Sequence, residues 1–137
     1  METTEVLISG VDFERLSDVV QSPRYRADRR VPLGDLREGL GRGTIVAPTE
    51  VPSDIVTMRS RVRVRDLRTG TAELCTLVYP EEADFVLRKV SVLAPVGSAL
   101  LGARVGSVIN VHAPAGVRRM KVERILYQPE AAGDFHL

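Results

Sequence analysis

The chain has 137 residues, 44% of them apolar and 27% charged, enough for one good core or for a core with a small appendage. Nineteen basic against eighteen acidic residues leave a net charge of +1, which argues neither for wholesale nucleic-acid binding nor against a local basic patch. A lone cysteine, Cys75, excludes an internal disulfide, and no apolar run approaches the ~20 residues of a membrane helix. The opening Met1-Glu2-Thr3-Thr4-Glu5 carries acids where a Sec leader is basic, so a soluble protein of the reducing cytoplasm is expected, with no membrane partner.

In chain order, Asp12 to Val20 reads as a helix with acids in its first turn and Phe13, Leu16, Val19 and Val20 on one face. Ser22-Pro23 ends it. A second arm repeats the spacing at Leu33, Leu36 and Leu40, but Gly34, Gly39, Gly41 and Gly43 each cost ~1 kcal/mol against alanine in a helix interior. The two arms predict a short helical hairpin over residues 1–50, turning between about Ser22 and Val31. After Pro52 the period becomes two. From Met58 to Leu67, Ser60, Val62 and Val64 face one way and Arg59, Arg61, Arg63 and Arg65 the other. Asp66 to Gly70 turns the chain into a strand over Ala72 to Tyr79. That strand holds Cys75 as a small buried hydrophobe. Further strands are expected at Lys89 to Leu93, Ser107 to His112 and Val117 to Tyr127, the last with a bulge near Glu123 and Arg124, where its apolar parity switches. The sum for residues 51–137 is an antiparallel sheet crossed by one short helix, an α+β unit.

That helix lies in Ser91-Val92-Leu93-Ala94-Pro95-Val96-Gly97-Ser98-Ala99-Leu100-Leu101-Gly102. Pro95 suits the first helical position and Gly102 the stop. Val96, Ala99, Leu100 and Val105 form an apolar stripe against strands bearing Val90, Val92, Val108 and Val111. This stretch resembles the core of the C-terminal domain of the Gre transcript-cleavage factors. Thr76-Leu77-Val78-Tyr79-Pro80 and Tyr127-Gln128-Pro129-Glu130-Ala131-Ala132-Gly133-Asp134 narrow the resemblance to the Rnk branch, the regulators of nucleoside diphosphate kinase. The resemblance implies an FKBP-like fold from about Pro52 to Tyr127, a truncated antiparallel coiled coil before it, and bacterial RNA polymerase as partner.

Enzyme chemistry is poorly supplied. His112 and His136 lack convincing spacing for a metal cluster or a Ser/His/Asp set. The acidic loop Glu81, Glu82 and Asp84 reads as a solvated connection. The glycine-rich Gly39 to Thr44 lacks a phosphate loop's Lys-Ser/Thr ending, and the chain has no Trp to line a prolyl isomerase cradle. No catalytic residue, metal or cofactor is therefore expected. Gre factors, by resemblance, reach through the polymerase secondary channel with a long coiled coil whose paired acidic tip holds the catalytic magnesium. Here the first arm, Asp12 to Gln21, spans only ~15 Å. Between Ser22 and Arg37 five arginines face two aspartates, so at the apex Asp28 stands alone beside Arg26, Arg29 and Arg30, already paired and a poor metal ligand.

Binding is the remaining class, and two surfaces compete. By resemblance, the loop ending at Pro95 docks on the rim of the secondary channel, with Leu93, Ala94, Pro95 and Ser98 as the candidate contact. Leu93 is either an exposed apolar anchor or the last core residue of its strand. The second surface is the row Arg59, Arg61, Arg63 and Arg65. It is either a solvated sheet face, with Arg65 near Glu73 across the hairpin, or a weak contact to a phosphate backbone or acidic protein. The expected function is non-catalytic regulation at RNA polymerase by a monomer, modulating or competing with Gre-type factors. The alternative is an interaction module that affects nucleoside diphosphate kinase levels or binds nucleic acid through the arginines.

Overall fold

A computed structural model describes residues 6–23, 43–114 and 116–134. The first element is a strand, β1 (Val6–Ser9), which pairs in parallel with β2 (Gly43–Val46). Between them in sequence, α1 spans Gly10–Gln21. It starts earlier than the apolar period indicates because Ser9 caps it, its hydroxyl accepting the Asp12 N–H at 3.1 Å. Leu16, Val19 and Val20 are buried as their spacing requires. The second arm of the expected hairpin and its apex residues Arg26, Asp28, Arg29 and Arg30 lie outside the described residues.

The main sheet has five strands in the order β5-β4-β3-β7-β6: β3 (Arg61–Asp66), β4 (Ala72–Val78), β5 (Lys89–Ser91), β6 (Val108–Ala113) and β7 (Gly116–Tyr127). The sheet is mixed and not purely antiparallel, because β5 runs parallel to β4. The connection that makes this possible goes through the 3₁₀ turn Pro80–Glu82 and a tight loop whose ends, Asp84 and Lys89, exchange backbone hydrogen bonds. In β7 the predicted bulge is present: Arg63 faces Arg124 while Val64 faces Val122, so Glu123 is the extra residue. A second shift lies at Leu126, between the partners of Arg61 and Val62.

The helix α2 (Pro95–Leu100) packs on β4, β5 and β6, with Pro95 at its start. It can lie close because of Gly97: a Cβ there would sit 1.9 Å from the Ser91 carbonyl oxygen. Leu100 is fully buried, while Val96 and Ala99 cover the edge of the core. Val105 and Val108, expected in the same apolar layer, are exposed. Val105 lies beyond the helix stop at Gly102 (φ 79°), and Val108 opposes Lys121, on the other face of the sheet.

One apolar core results. Val62, Val64, Leu77, Val92, Val111, Met120 and Val122 of the main unit join Ile8, Leu16, Val19 and Val20 of the N-terminal segment. A last short helix, α3 (Pro129–Ala132), ends at Gly133 (φ 79°). The buried Gln128 ties it down: its amide donates to the carbonyls of Pro52 (2.8 Å) and Ile55 (2.7 Å), and its Oε1 accepts from Ala131 N–H.

Candidate functional site

The loop before α2 is rigid for identifiable reasons. Ser91 Oγ accepts from Leu93 N–H at 3.0 Å, the Ser91 carbonyl accepts from Ala94 N–H at 3.0 Å, and Ser98 N–H bonds back to the Ala94 carbonyl at 2.9 Å. Leu93 is only 5% exposed and belongs to the core cluster, so it is the plug beneath the loop and not an apolar anchor on its surface. Ala94, Pro95 and Ser98 are half-buried and reach the surface.

What sequence reasoning missed is the neighbour of this loop. Phe85, Val86 and Leu87 stand on the tip of the Asp84–Lys89 loop, Phe85 at 97% exposure. Their backbone is fixed: Asp84 Oδ1 accepts from Leu87 N–H at 3.2 Å, and Arg88 takes a positive φ of 55°. Between this tip and the α2 loop runs a groove of about 720 Å³, whose apolar lining includes Leu74, Phe85, Val86, Val90 and Ala94 and whose charged lining is Glu73, Asp84, Arg88 and Lys89. Three adjacent large apolar side chains held in water form a candidate interaction surface, because isolated exposed hydrophobes need no explanation but contiguous ones do. The signal in the sequence is the apolar triplet inside an otherwise polar loop.

The arginine row divides. Arg59 is not on the strand. It precedes β3 at a positive φ of 66°, its guanidinium is bonded to both oxygens of Glu82 at 3.1 Å, and it lies 5.4 Å over the ring of Tyr79. Arg61, Arg63 and Arg65 do share the outer face of β3. Arg65 bonds Glu123 at 2.8 Å, and not Glu73, because Ala72 is its partner on β4 and the bulge turns Glu123 toward it; Arg63 reaches the same carboxylate at 3.2 Å. The bond from Arg65 holds Glu123 below the usual carboxylate range. The register adds cations that no single strand revealed: Lys121 opposes Arg65, Arg124 opposes Arg63, and Arg119 lies two residues along from Lys121 on the same face.

The acidic loop is dispersed, with Glu82 committed to Arg59 and Asp84 to the Leu87 N–H. Among the described residues no group of three or more His, Cys, Asp and Glu side chains is placed to hold a metal, and no helix is long and apolar enough to cross a membrane. Cys75 is buried on β4, and burial lifts its thiol to about 11.

A buried carboxylate joins α1 to the sheet. Asp12 is 4% exposed; its oxygens accept from Met58 N–H at 3.3 Å and from the Tyr79 hydroxyl at 3.2 Å. Burial, and then the nearby Glu130, push its pKa up to about 6, against the lowering effect of those two bonds and of Arg15. Burial also raises the Tyr79 phenol. Thus the two stretches that narrowed the resemblance hold structural clamps, Tyr79 fastening α1 and Gln128 fastening α3.

Comparison with known proteins accords with this geometry. The family described as "Transcription elongation factor, GreA/GreB, C-term" matches residues 51–127. Over its full length the chain is 41% identical to the regulator of nucleoside diphosphate kinase of Escherichia coli K12, covering all of both proteins. It is 32% identical over 121 residues to transcription elongation factor GreA of Thermotoga petrophila, covering 84% of this chain and 77% of that one. Among solved structures, the prokaryotic transcription elongation factor GreA/GreB from Nitrosomonas europaea superposes with a TM-score of 0.74 at 36% identity, covering 91% of this chain and 100% of that one. The sheet, the short helix seated through Gly97 and the match over residues 51–127 lead to one conclusion: this chain belongs to the GreA/GreB transcription elongation factor family, with full-length similarity to the regulators of nucleoside diphosphate kinase.

Proposed function

We propose that this protein is a non-catalytic regulator that binds bacterial RNA polymerase near the secondary channel and modulates or competes with Gre-type factors without stimulating transcript cleavage. The observation that carries this reading is the apolar surface running from Phe85 and Val86 across the groove to Ala94 and Pro95. It includes Ala94 and Pro95 of the loop that the family resemblance assigns to docking, and the hydrogen bonds around Ser91 preorganise that loop, which lowers the ordering cost of binding. Absence of cleavage rests on the lone apex acid, Asp28, among arginines. An effect on nucleoside diphosphate kinase levels would then follow from transcription.

The test is direct binding to purified polymerase. Phe85→Ser combined with Ala94→Asp removes the most exposed aromatic and places a charge in the contact, and should weaken binding by ~2 kcal/mol or more. Both positions reach the surface, so the melting temperature should move little; Leu93→Asp would instead unfold the core and is no test of docking. A folded double variant with unchanged polymerase affinity refutes this surface. In a backtracked elongation complex the wild-type protein should release no short 3′ RNA fragments, and stimulated release would refute the non-catalytic reading.

A further inference from the structure

We infer that the outer face of the main sheet is a second binding surface, built for the phosphate backbone of a nucleic acid without sequence preference. Six cations lie on its adjacent strands β3 and β7: Arg61, Arg63 and Arg65 on β3 and Arg119, Lys121 and Arg124 on β7. One carboxylate, Glu123, is shared by Arg63 and Arg65. Arg61, Arg119 and Arg124 form no ion pair among the described residues, and Lys121 lends Glu123 only a longer-range field. The chain as a whole has a net charge of +1, so this excess on one face means that the remainder is net negative. Segregation of that kind is an electrostatic footprint that the overall charge conceals.

Three features favour a nucleic acid over an acidic protein. First, the centre of the face is charged, with Arg63 opposite Arg124 and Arg65 opposite Lys121. Protein interfaces concentrate apolar and aromatic groups at the centre and deplete charge there, whereas nucleic-acid interfaces are polar and strongly positive. The apolar side chains of this face, the half-buried Leu74 and the exposed Val108, Val117 and Leu126, lie on the flanking strands or toward the two ends of β7. Second, five of the six cations are arginines, whose planar fork grips phosphate oxygens in pairs. Third, the cations repeat at ~6.8 Å along a strand and ~4.8 Å between strands, a grid that a polyanion can follow. Base readout is not supplied. The aromatic on the face is Tyr127, opposite Arg61, and its hydroxyl is engaged by Asp134; stacking platforms need several such rings.

This surface meets the Phe85–Ala94 groove at Leu74, but its test uses nucleic acid alone and so does not depend on polymerase docking. Fluorescence anisotropy with a labelled mixed-sequence 20-base-pair DNA, and with single-stranded RNA of the same length, should show binding at 50 mM salt that falls roughly 100-fold by 200 mM, as about four neutralised phosphates require. Replacing Arg61, Arg119, Lys121 and Arg124 by glutamine spares the Glu123 bridge and the core. It should flatten that salt dependence and weaken low-salt binding at least ~10-fold, while Arg104→Gln, whose arginine pairs with Asp54 away from the face, should change neither. Binding to either nucleic acid supports the assignment. Three results overturn it: no binding at 50 mM salt, a folded fourfold variant with wild-type affinity and slope, or competition by polyglutamate of equal charge that matches competition by DNA.

Discussion

Asp12 is the residue whose environment most contradicts its type. A carboxylate at the third position of a helix normally sits in water and favours the dipole, but here it is enclosed against Met58, Tyr79 and Glu130. Its native pKa of about 6 lies above the ordinary 3.8, so the native state binds this proton more tightly than the unfolded chain does. The sign follows: the favourable contribution is complete below about pH 4 and is lost as pH rises through about 6, leaving an ionised group that costs ~3 kcal/mol. Asp66 and Glu123, held low by Arg118 and Arg65, act the opposite way but only in more acid solution. Melting temperature should therefore rise as pH falls from 7.5 to 5. Asp12→Asn can accept from Met58 N–H and donate to the Tyr79 oxygen, and should reduce that rise while stabilising the protein at pH 7.5, the remainder coming from Glu130, which burial also raises. Thermal melts at the two pH values decide it; a wild-type melting temperature that does not change between them would contradict the assignment.

At the level of elements, the seat of α2 is the most demanding fit. Gly97→Ala would drive a methyl group into the Ser91 carbonyl, backbone that cannot rotate away, so the cost should reach or exceed the ~3 kcal/mol at the upper end of overpacking. Loss of the folded state, or a melting temperature lowered by ~10 °C or more, is the expected result in calorimetry. Strands and helix were legible because their signals are local: the period-two run in β3, the Pro95 start and Gly102 stop, and the parity switch that marked the bulge at Glu123. The close approach at Gly97 was not legible, since a glycine within a short helix reads as a weak helix former unless its neighbour in space is known. The parallel pairing of β5 escaped for the same reason, as did the cations of β7. Arg119, Lys121 and Arg124 are ordinary surface residues until β3 is known to lie beside β7 and not beside β4 alone. The α1 face was anticipated from Leu16, Val19 and Val20, but the burial of Asp12 was not, because a partner 67 residues away, Tyr79, accounts for it.

For the whole molecule, the two surfaces differ in chemistry: a groove beside α2 topped by the exposed Phe85 and Val86 and lined by residues of both charges, and a cationic sheet face that meets it at Leu74. If they are independent, changing Arg61 and Arg63 to glutamine should leave polymerase affinity nearly unchanged, since exposed charges outside a contact are worth little, even as nucleic-acid binding weakens. A large, salt-dependent loss of polymerase affinity in that variant would show instead that one partner covers both faces.

The solitary sulfhydryl at Cys75 makes that question experimentally accessible. Seated inside β4 with its pKa near 11, it is thiolate to less than about one part in a thousand at neutral pH, and alkylating reagents attack only the thiolate. The unaltered protein should thus react only slowly with maleimides while folded. A cysteine introduced at Phe85 or at Arg124 would be the sole reactive handle, so photo-crosslinkers could report separately what each face touches, with modification of Cys75 itself serving as a clock for opening of the sheet.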